Sequence, residues 1–93
     1  MIRNVRSVNE YTVQHGTLRR EDAPGVCEGH AWRVCNTRYG IDSPWQPLHA
    51  YPPRIGWQLS SSDAEFYHLC VMSDAQFEQW CAQFDMRHDE DER

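Results

Sequence analysis

The sequence contains no lysine, and all nine of its basic residues are arginine. This absence excludes chemistry that depends on a lysine amine, such as Schiff-base formation or general-base catalysis by lysine. The chain also lacks a glycine-rich phosphate loop, and without lysine it cannot form a Walker-type phosphate site. The chemistry that remains is that of histidine, cysteine and carboxylates, or binding alone.

Long apolar runs are also absent. No stretch approaches the roughly 20 apolar residues that a membrane-spanning helix needs. The first eleven residues include Arg3, Arg6 and Glu10, which is not the pattern of a secretory signal. Without a signal, the four cysteines favour thiols or metal ligands over disulfides. We therefore expect a cytoplasmic protein that contacts no membrane.

The composition is that of one small folded domain. Of 93 residues, 40 % are hydrophobic and 12 % are aromatic, which is enough for a single packed core. The last residues are almost entirely charged. We predict a domain over residues 1–88 and an acidic tail over residues 89–93.

Charge is distributed unevenly along the chain. Residues 1–60 hold seven arginines and five acidic residues, a net charge of +2, whereas residues 61–93 hold nine acidic residues and two arginines, a net charge of −7. Direct nucleic-acid binding requires a basic surface, so the overall charge of −5 argues against it. An acidic half instead favours a partner protein with a basic surface.

The hydrophobic pattern predicts an α+β fold, a small antiparallel sheet of three to four strands with one C-terminal amphipathic helix packed on it. Alternating apolar residues indicate strands, and these are expected over residues 2–15, 30–39, 55–59 and 66–72. The helix is expected over about residues 74–87, with Ser73 and Gln76 as a capping box and an apolar stripe of Phe77, Trp80, Cys81 and Phe84.

A short internal similarity leaves an alternative open for the C-terminal third. Residues 62–70 and 73–81 both begin with Ser-Asp-Ala, and an aromatic residue and a cysteine recur at the same spacing in each. Residues 62–87 could therefore form one long helix or two short ones. Tyr67 and the run from Leu69 to Met72 favour a strand followed by a helix.

Chemistry-bearing side chains give only weak signals. Cys27, His30 and Cys35 are the best metal candidates, but they form half of a zinc motif, and no second half is present. We therefore predict no cofactor and keep a small zinc-stabilised module as an alternative. A small enzyme with a cysteine nucleophile and a histidine base is a second alternative, although no local signature surrounds any cysteine.

Two segments have the character of binding surfaces. Between Pro44 and Pro53, a run of prolines spaces three apolar residues three apart, so they would line one ridge of a polyproline II helix: Trp45, Leu48 and Tyr51. Alternatively, the segment crosses the sheet and buries all three. The second segment is the acidic C-terminus, which provides Asp85, Asp89, Glu90, Asp91 and Glu92.

These observations predict a small non-enzymatic module that binds a larger protein with a basic surface. A short, acidic, aromatic-rich chain without catalytic motifs is typical of accessory or inhibitor proteins of phages and mobile elements. The most specific version of this hypothesis is an inhibitor that docks on a nucleic-acid-handling complex. The expected contact residues are those of the two segments just described.

Overall fold

The structure, a computed structural model, describes residues 1–19, 21, 28–52 and 61–91, with side chains up to Gln83 in the last range. The chain forms an α+β fold, an antiparallel sheet with two helices. The strands are β1 (Ile2–Val8), β2 (Tyr11–Leu18), β3 (Gly29–Asn36), β4 (Ile41–Asp42) and β5 (Gln46–Pro47). The helices are α1 (Ser61–Val71) and α2 (Asp74–Asp91). Among the described residues, no helix is long and apolar enough to cross a membrane.

The sheet is built around β2 and β3, which pair over their whole length from Tyr11 opposite Asn36 to Leu18 opposite Gly29. β1 pairs with the other side of β2, and the two short strands β4 and β5 share the other side of β3. The prediction of a single strand over residues 2–15 was wrong, because the chain reverses at Asn9 and Glu10. Asn9 has a φ of 53°, a left-handed conformation that asparagine tolerates better than most residues.

The register separates the sheet into two faces, because successive side chains of a strand point to opposite sides. Val13 and His15 of β2 lie on one face, opposite Val34 and Trp32 of β3. This inner face forms the main core together with residues of α1 and α2. The buried members of that core are Tyr11, Val13, Trp32, Val34, Leu48, Phe66, Leu69, Phe77 and Cys81.

The outer face of the sheet carries a smaller apolar cluster and a polar ladder. Leu18 and Ala31 are buried there against Trp45. Gly16 lies directly beneath the same indole, and a Cβ at this position would approach the Trp45 ring to 3.2 Å. A larger residue here would require the Trp45 ring to shift, so this close approach favours glycine within β2.

Residues 66–71 form part of α1 and Met72 directly follows its end, so the predicted fourth strand over residues 66–72 was wrong. The buried residues of α1 are Asp63, Phe66 and Leu69, spaced three apart as on one helix face. Tyr67 and Val71 favour a strand locally, but the free energy gained by burying Phe66 and Leu69 on one helix face outweighs that preference. The alternative of two short helices over residues 62–87 is the one that the structure matches. The predicted strand over residues 55–59 lies outside the described residues.

The break between the helices occurs at Met72 and Ser73. The predicted capping box is present: the Gln76 amide N–H donates to Ser73 Oγ at 3.2 Å, and the Gln76 side-chain oxygen accepts from the Ser73 N–H at 3.4 Å. Met72 packs against the core that contains Phe77, as a hydrophobic staple requires. α2 extends to Asp91, four residues beyond the predicted end at about residue 87. Its apolar stripe is described only as far as Cys81.

Arg6 connects β1 to both helices at this break. Its guanidinium donates to the Leu69 carbonyl oxygen at 2.8 Å and to Asp74 Oδ1 at 2.8 Å, and it lies 4.8 Å from the centre of the Phe77 ring. The Leu69 carbonyl belongs to the last turn of α1 and has no partner within a helix that ends at Val71. A cation at this position also complements the negative end of the α1 dipole.

Replacement of Arg6 by methionine is expected to lower the free energy of unfolding by about 2–3 kcal/mol, because the charge-assisted hydrogen bond to a helix-end carbonyl is lost. The bond to Asp74 contributes little to this loss, since the Asp74 side chain is 79 % exposed. Urea denaturation measures the difference. The matched control is Arg3→Met on the exposed part of β1, which should cost less than about 0.5 kcal/mol. Equal losses in both variants would contradict the role of Arg6.

Candidate functional site

The proline segment does not present its three apolar residues on one ridge. Leu48 is 5 % exposed and belongs to the main core on the inner face, which Tyr51 also contacts. Trp45 packs on the opposite, outer face, where the Arg33 guanidinium lies 4.4 Å from its ring centre. The segment therefore wraps around the edge of the sheet. The alternative that all three residues are buried is met only by Leu48. Leu48 is not available to a partner, whereas Trp45 and Tyr51 are partly exposed.

Three rings stack beside the inner core. The Tyr51 ring lies on the His15 ring with centres 3.9 Å apart and planes 10° apart. His15 Nε2 lies 3.0 Å from His30 Nδ1, within hydrogen-bond distance. His15 is buried, and its Nδ1 atom has no hydrogen-bond partner among the described residues. Burial, followed by the nearby His30, lowers the pKa of His15 below its usual value of 6.5.

A second histidine pairs with a carboxylate where the proline segment meets α1. His49 Nδ1 lies 3.2 Å from Asp63 Oδ1, and the His49 backbone N–H also donates to the Asp63 carboxylate. A carboxylate on Nδ1 orients a histidine for general-base catalysis when a nucleophile stands beside it. The hydroxyl of Ser62 does not serve here, since it donates to the Pro47 carbonyl and accepts from Trp32 Nε1. We interpret this pair as a structural link between the segment and the helix.

The proposed metal ligands are separated by the sheet. His30 and Cys35 are five residues apart on β3 and therefore point to opposite faces, which prevents them from sharing one ion. Cys27 lies outside the described residues. Within the described part of the chain, no group of three or more histidine, cysteine or acidic side chains is placed to hold a metal ion.

Cys35 has the properties of a structural thiol. It is 8 % exposed and its Sγ donates to Gln14 Oε1 at 3.3 Å. Burial, followed by the nearby Asp42 carboxylate, raises the pKa of the Cys35 thiol to about 11. Burial also raises the pKa of Cys70. A nucleophilic cysteine or a zinc ligand needs the opposite, a thiolate stabilised at neutral pH.

An exposed apolar groove lies between the two helices. Val71, at the end of α1, is 59 % exposed, and Met72 and Trp80 are partly exposed beside it. The groove has a volume of about 450 Å³, and polar side chains complete its lining: His68, Gln76, Gln79 and Gln83. The sequence did not predict this surface, because a strand over residues 66–72 would have separated its residues. The similarity between residues 62–70 and 73–81 was the signal that could have found it.

A second pocket adjoins the groove at Trp80 and Gln83. It has a volume of about 240 Å³ and lies where β5 and the segment before it face the two helices. Trp32 forms another part of its wall. Four further residues complete its lining: Ser43, Pro44, Gln46 and Glu65.

The acidic residues predicted to contact a partner follow this surface in sequence. Asp85, Asp89, Glu90 and Asp91 belong to α2, and Glu92 lies outside the described residues, as do all of their side chains. The backbone of residues 89–91 is helical, whereas we expected a tail to begin at residue 89. Their contribution to binding stays a prediction.

Comparison with known proteins gives no relative. No family model, no curated protein sequence and no solved structure matches this chain.

We expect stability to fall as the pH drops below about 6.5, because the unfolded chain then protonates His15 while the folded chain, with its lowered pKa, does not. The loss continues until the pH passes the folded pKa. His15→Gln should reduce this dependence by as much as about 1 kcal/mol per pH unit. Urea denaturation at a series of pH values measures the slope, and His68→Gln on the exposed face of α1 is the control. An unchanged slope in His15→Gln would contradict the assignment.

Cys35 should resist thiol reagents in the folded protein at pH 8, because its thiol is buried and its pKa is about 11. We expect labelling at least about ten-fold slower than in the urea-unfolded chain, measured by mass spectrometry of each cysteine peptide. Rapid labelling of Cys35 in the folded state would instead support the alternative of a cysteine enzyme.

Proposed function

We propose that this chain is a small protein-binding module without enzymatic activity, which docks on a larger protein with a basic surface. In its sharpest form, the partner belongs to a nucleic-acid-handling complex and the chain inhibits it, as accessory proteins of phages and mobile elements do. The observation that carries the proposal is the exposed apolar groove between α1 and α2, with Val71 59 % exposed at its edge.

The groove has the composition of a binding surface. An apolar patch that includes an aromatic side chain and is rimmed by polar groups is typical of a protein interface. Trp80 is well suited to the central contact, because tryptophan is enriched among the residues that contribute most to binding. It lies between the groove and the adjoining pocket, so a single partner segment could contact both concavities.

The charge of the surrounding sequence favours a basic partner. Both helices belong to the segment 61–93, whose net charge is −7, while the sheet belongs to the positively charged segment 1–60. Opposite charge on the partner accelerates association and disfavours acidic competitors. The proposal keeps the acidic residues at 85 and 89–92 as part of this surface. It also keeps the finer prediction that the apolar stripe of α2 continues through Phe84 and packs on the sheet.

The predicted site residues of the proline segment have a smaller part in this proposal. Leu48 is a core residue, so its mutation would disturb folding before binding. Trp45 is covered in part by Arg33, and Tyr51 by its stack on His15. We therefore assign the docking surface to the helical groove, whose lining includes neither Trp45 nor Tyr51.

Val71→Ser should reduce recovery of the partner at least about five-fold, the effect of losing about 1 kcal/mol of apolar contact. The measurement is affinity capture by the tagged full chain from nuclease-treated lysate of its own host, quantified by mass spectrometry. Ile2→Ser is the matched control, because Ile2 is a β-branched residue that is 50 % exposed on the sheet. Its recovery should stay within about two-fold of the wild type, since the site lies elsewhere.

Two outcomes would contradict this site. One is equal loss of the partner in Val71→Ser and Ile2→Ser, which would indicate a different or nonspecific surface. The other is that no captured protein depends on Val71. Circular dichroism of each variant establishes that the fold is intact. Recovery should also fall at higher salt if a basic partner is held by the acidic half of the chain.

A further inference from the structure

The pocket beside the groove combines aromatic walls with a carboxylate. Trp32 is 2 % exposed and Trp80 is partly exposed, and both line the pocket together with the exposed Glu65. The side chains of Gln46 and Gln83 add amide oxygens that can accept hydrogen bonds. Among the described residues Glu65 has no ion pair, so its charge is available to a ligand.

The chain binds its own arginines with the same combination of ring and carboxylate. The Arg33 guanidinium lies 4.4 Å from the ring centre of Trp45, and Arg33 Nη1 lies 3.6 Å from Asp42 Oδ2. Arg6 repeats the arrangement, with its guanidinium over Phe77 at 4.8 Å and bonded to Asp74. In both cases the guanidinium carbon lies over an aromatic ring while an acidic residue pairs with the charge.

We propose that the pocket formed by Trp32, Trp80 and Glu65 binds the guanidinium of an arginine side chain presented by the docking partner. This inference rests on the proposed function and adds the chemistry of the partner to it. Apolar side chains of the partner would occupy the helical groove, and one arginine beside them would enter the pocket. Trp80 and Gln83, which line both concavities, would then contact both parts of the same segment.

Arginine fits this pocket better than lysine or a neutral side chain. Its planar cation can stack on indole and donate several hydrogen bonds in one plane, to a carboxylate and to amide oxygens together. The lysine ammonium is a more strongly hydrated point charge and gains less from aromatic walls. A neutral ureido group has nearly the same shape as guanidinium and can donate hydrogen bonds to Glu65, but it has no positive charge to pair with the carboxylate.

The experiment is a two-dimensional NMR titration of the full chain with three blocked amino acids: N-acetyl-arginine amide, N-acetyl-citrulline amide and N-acetyl-lysine amide. The arginine probe should shift the indole N–H signal of Trp80 and the amide signal of Glu65 in a saturable manner, with a dissociation constant on the order of 10 mM. The citrulline probe should bind at least about ten-fold more weakly and the lysine probe at least about three-fold more weakly.

Glu65→Gln should weaken the arginine probe at least about five-fold, because the charge that pairs with the guanidinium is removed. Glu10→Gln, which removes the same charge at the β1–β2 turn, should leave its binding within about two-fold. Equal binding of arginine and citrulline, equal effects of the two variants, or no saturable shift at Trp80 would each overturn the pocket assignment.

This test is independent of the capture experiment at Val71. If the arginine probe fails while capture still depends on Val71, the pocket proposal is wrong and the docking surface stands. If the probe binds with the stated selectivity while no partner depends on Val71, the pocket assignment is supported and the groove assignment is wrong.

Discussion

The fold depends on the contact between the small sheet and the two helices. Arg6 of β1 makes this contact at the point where α1 ends and α2 begins. One guanidinium contacts a carbonyl at the end of α1, the first residue of α2 and the ring of Phe77, which lies at the centre of the core. The last carbonyl groups of α1 need hydrogen-bond donors, and an acidic residue is favourable at the first position of α2. The Arg6 guanidinium between the helices bonds to one of those carbonyls and pairs with the Asp74 carboxylate. Arg6 therefore links the end of α1 and the start of α2 to β1, and the buried residues of both helices hold them against the sheet.

The two faces of the sheet decide which side chains can act together. Alternation along β3 sends His30 towards the inner core and Cys35 towards the outer polar ladder, where Gln14 bonds to Asn4, Arg33 and Cys35. Residues that are close in sequence are thereby kept apart. The same geometry separates Trp45 from Leu48, so that the proline segment secures the edge of the sheet and does not form a free ridge.

The candidate binding surface arises from what the core leaves uncovered. Phe66, Leu69, Phe77 and Cys81 fill the interior, whereas Val71, Met72 and Trp80 stay wholly or partly exposed on the adjoining faces. These are the apolar groups that the proposed partner would cover. Trp80 belongs to both the interior and the surface, because it packs against the core and also lines the groove and the adjoining pocket.

The sequence by itself determined the α+β class, the inward faces of β2 and β3 and the capped start of α2, because these follow from local periodicity and from side chains that bond their own backbone. Only the tertiary structure decided the helical state of residues 61–71, since Tyr67 and Val71 favour strand locally while the burial of Phe66 and Leu69 requires a helix face. The tertiary structure also decided the turn at Asn9 and the position of Val71 and Trp80 in the lining of one groove. Contacts between distant residues have no local pattern, and the groove and its neighbouring pocket are made of such contacts.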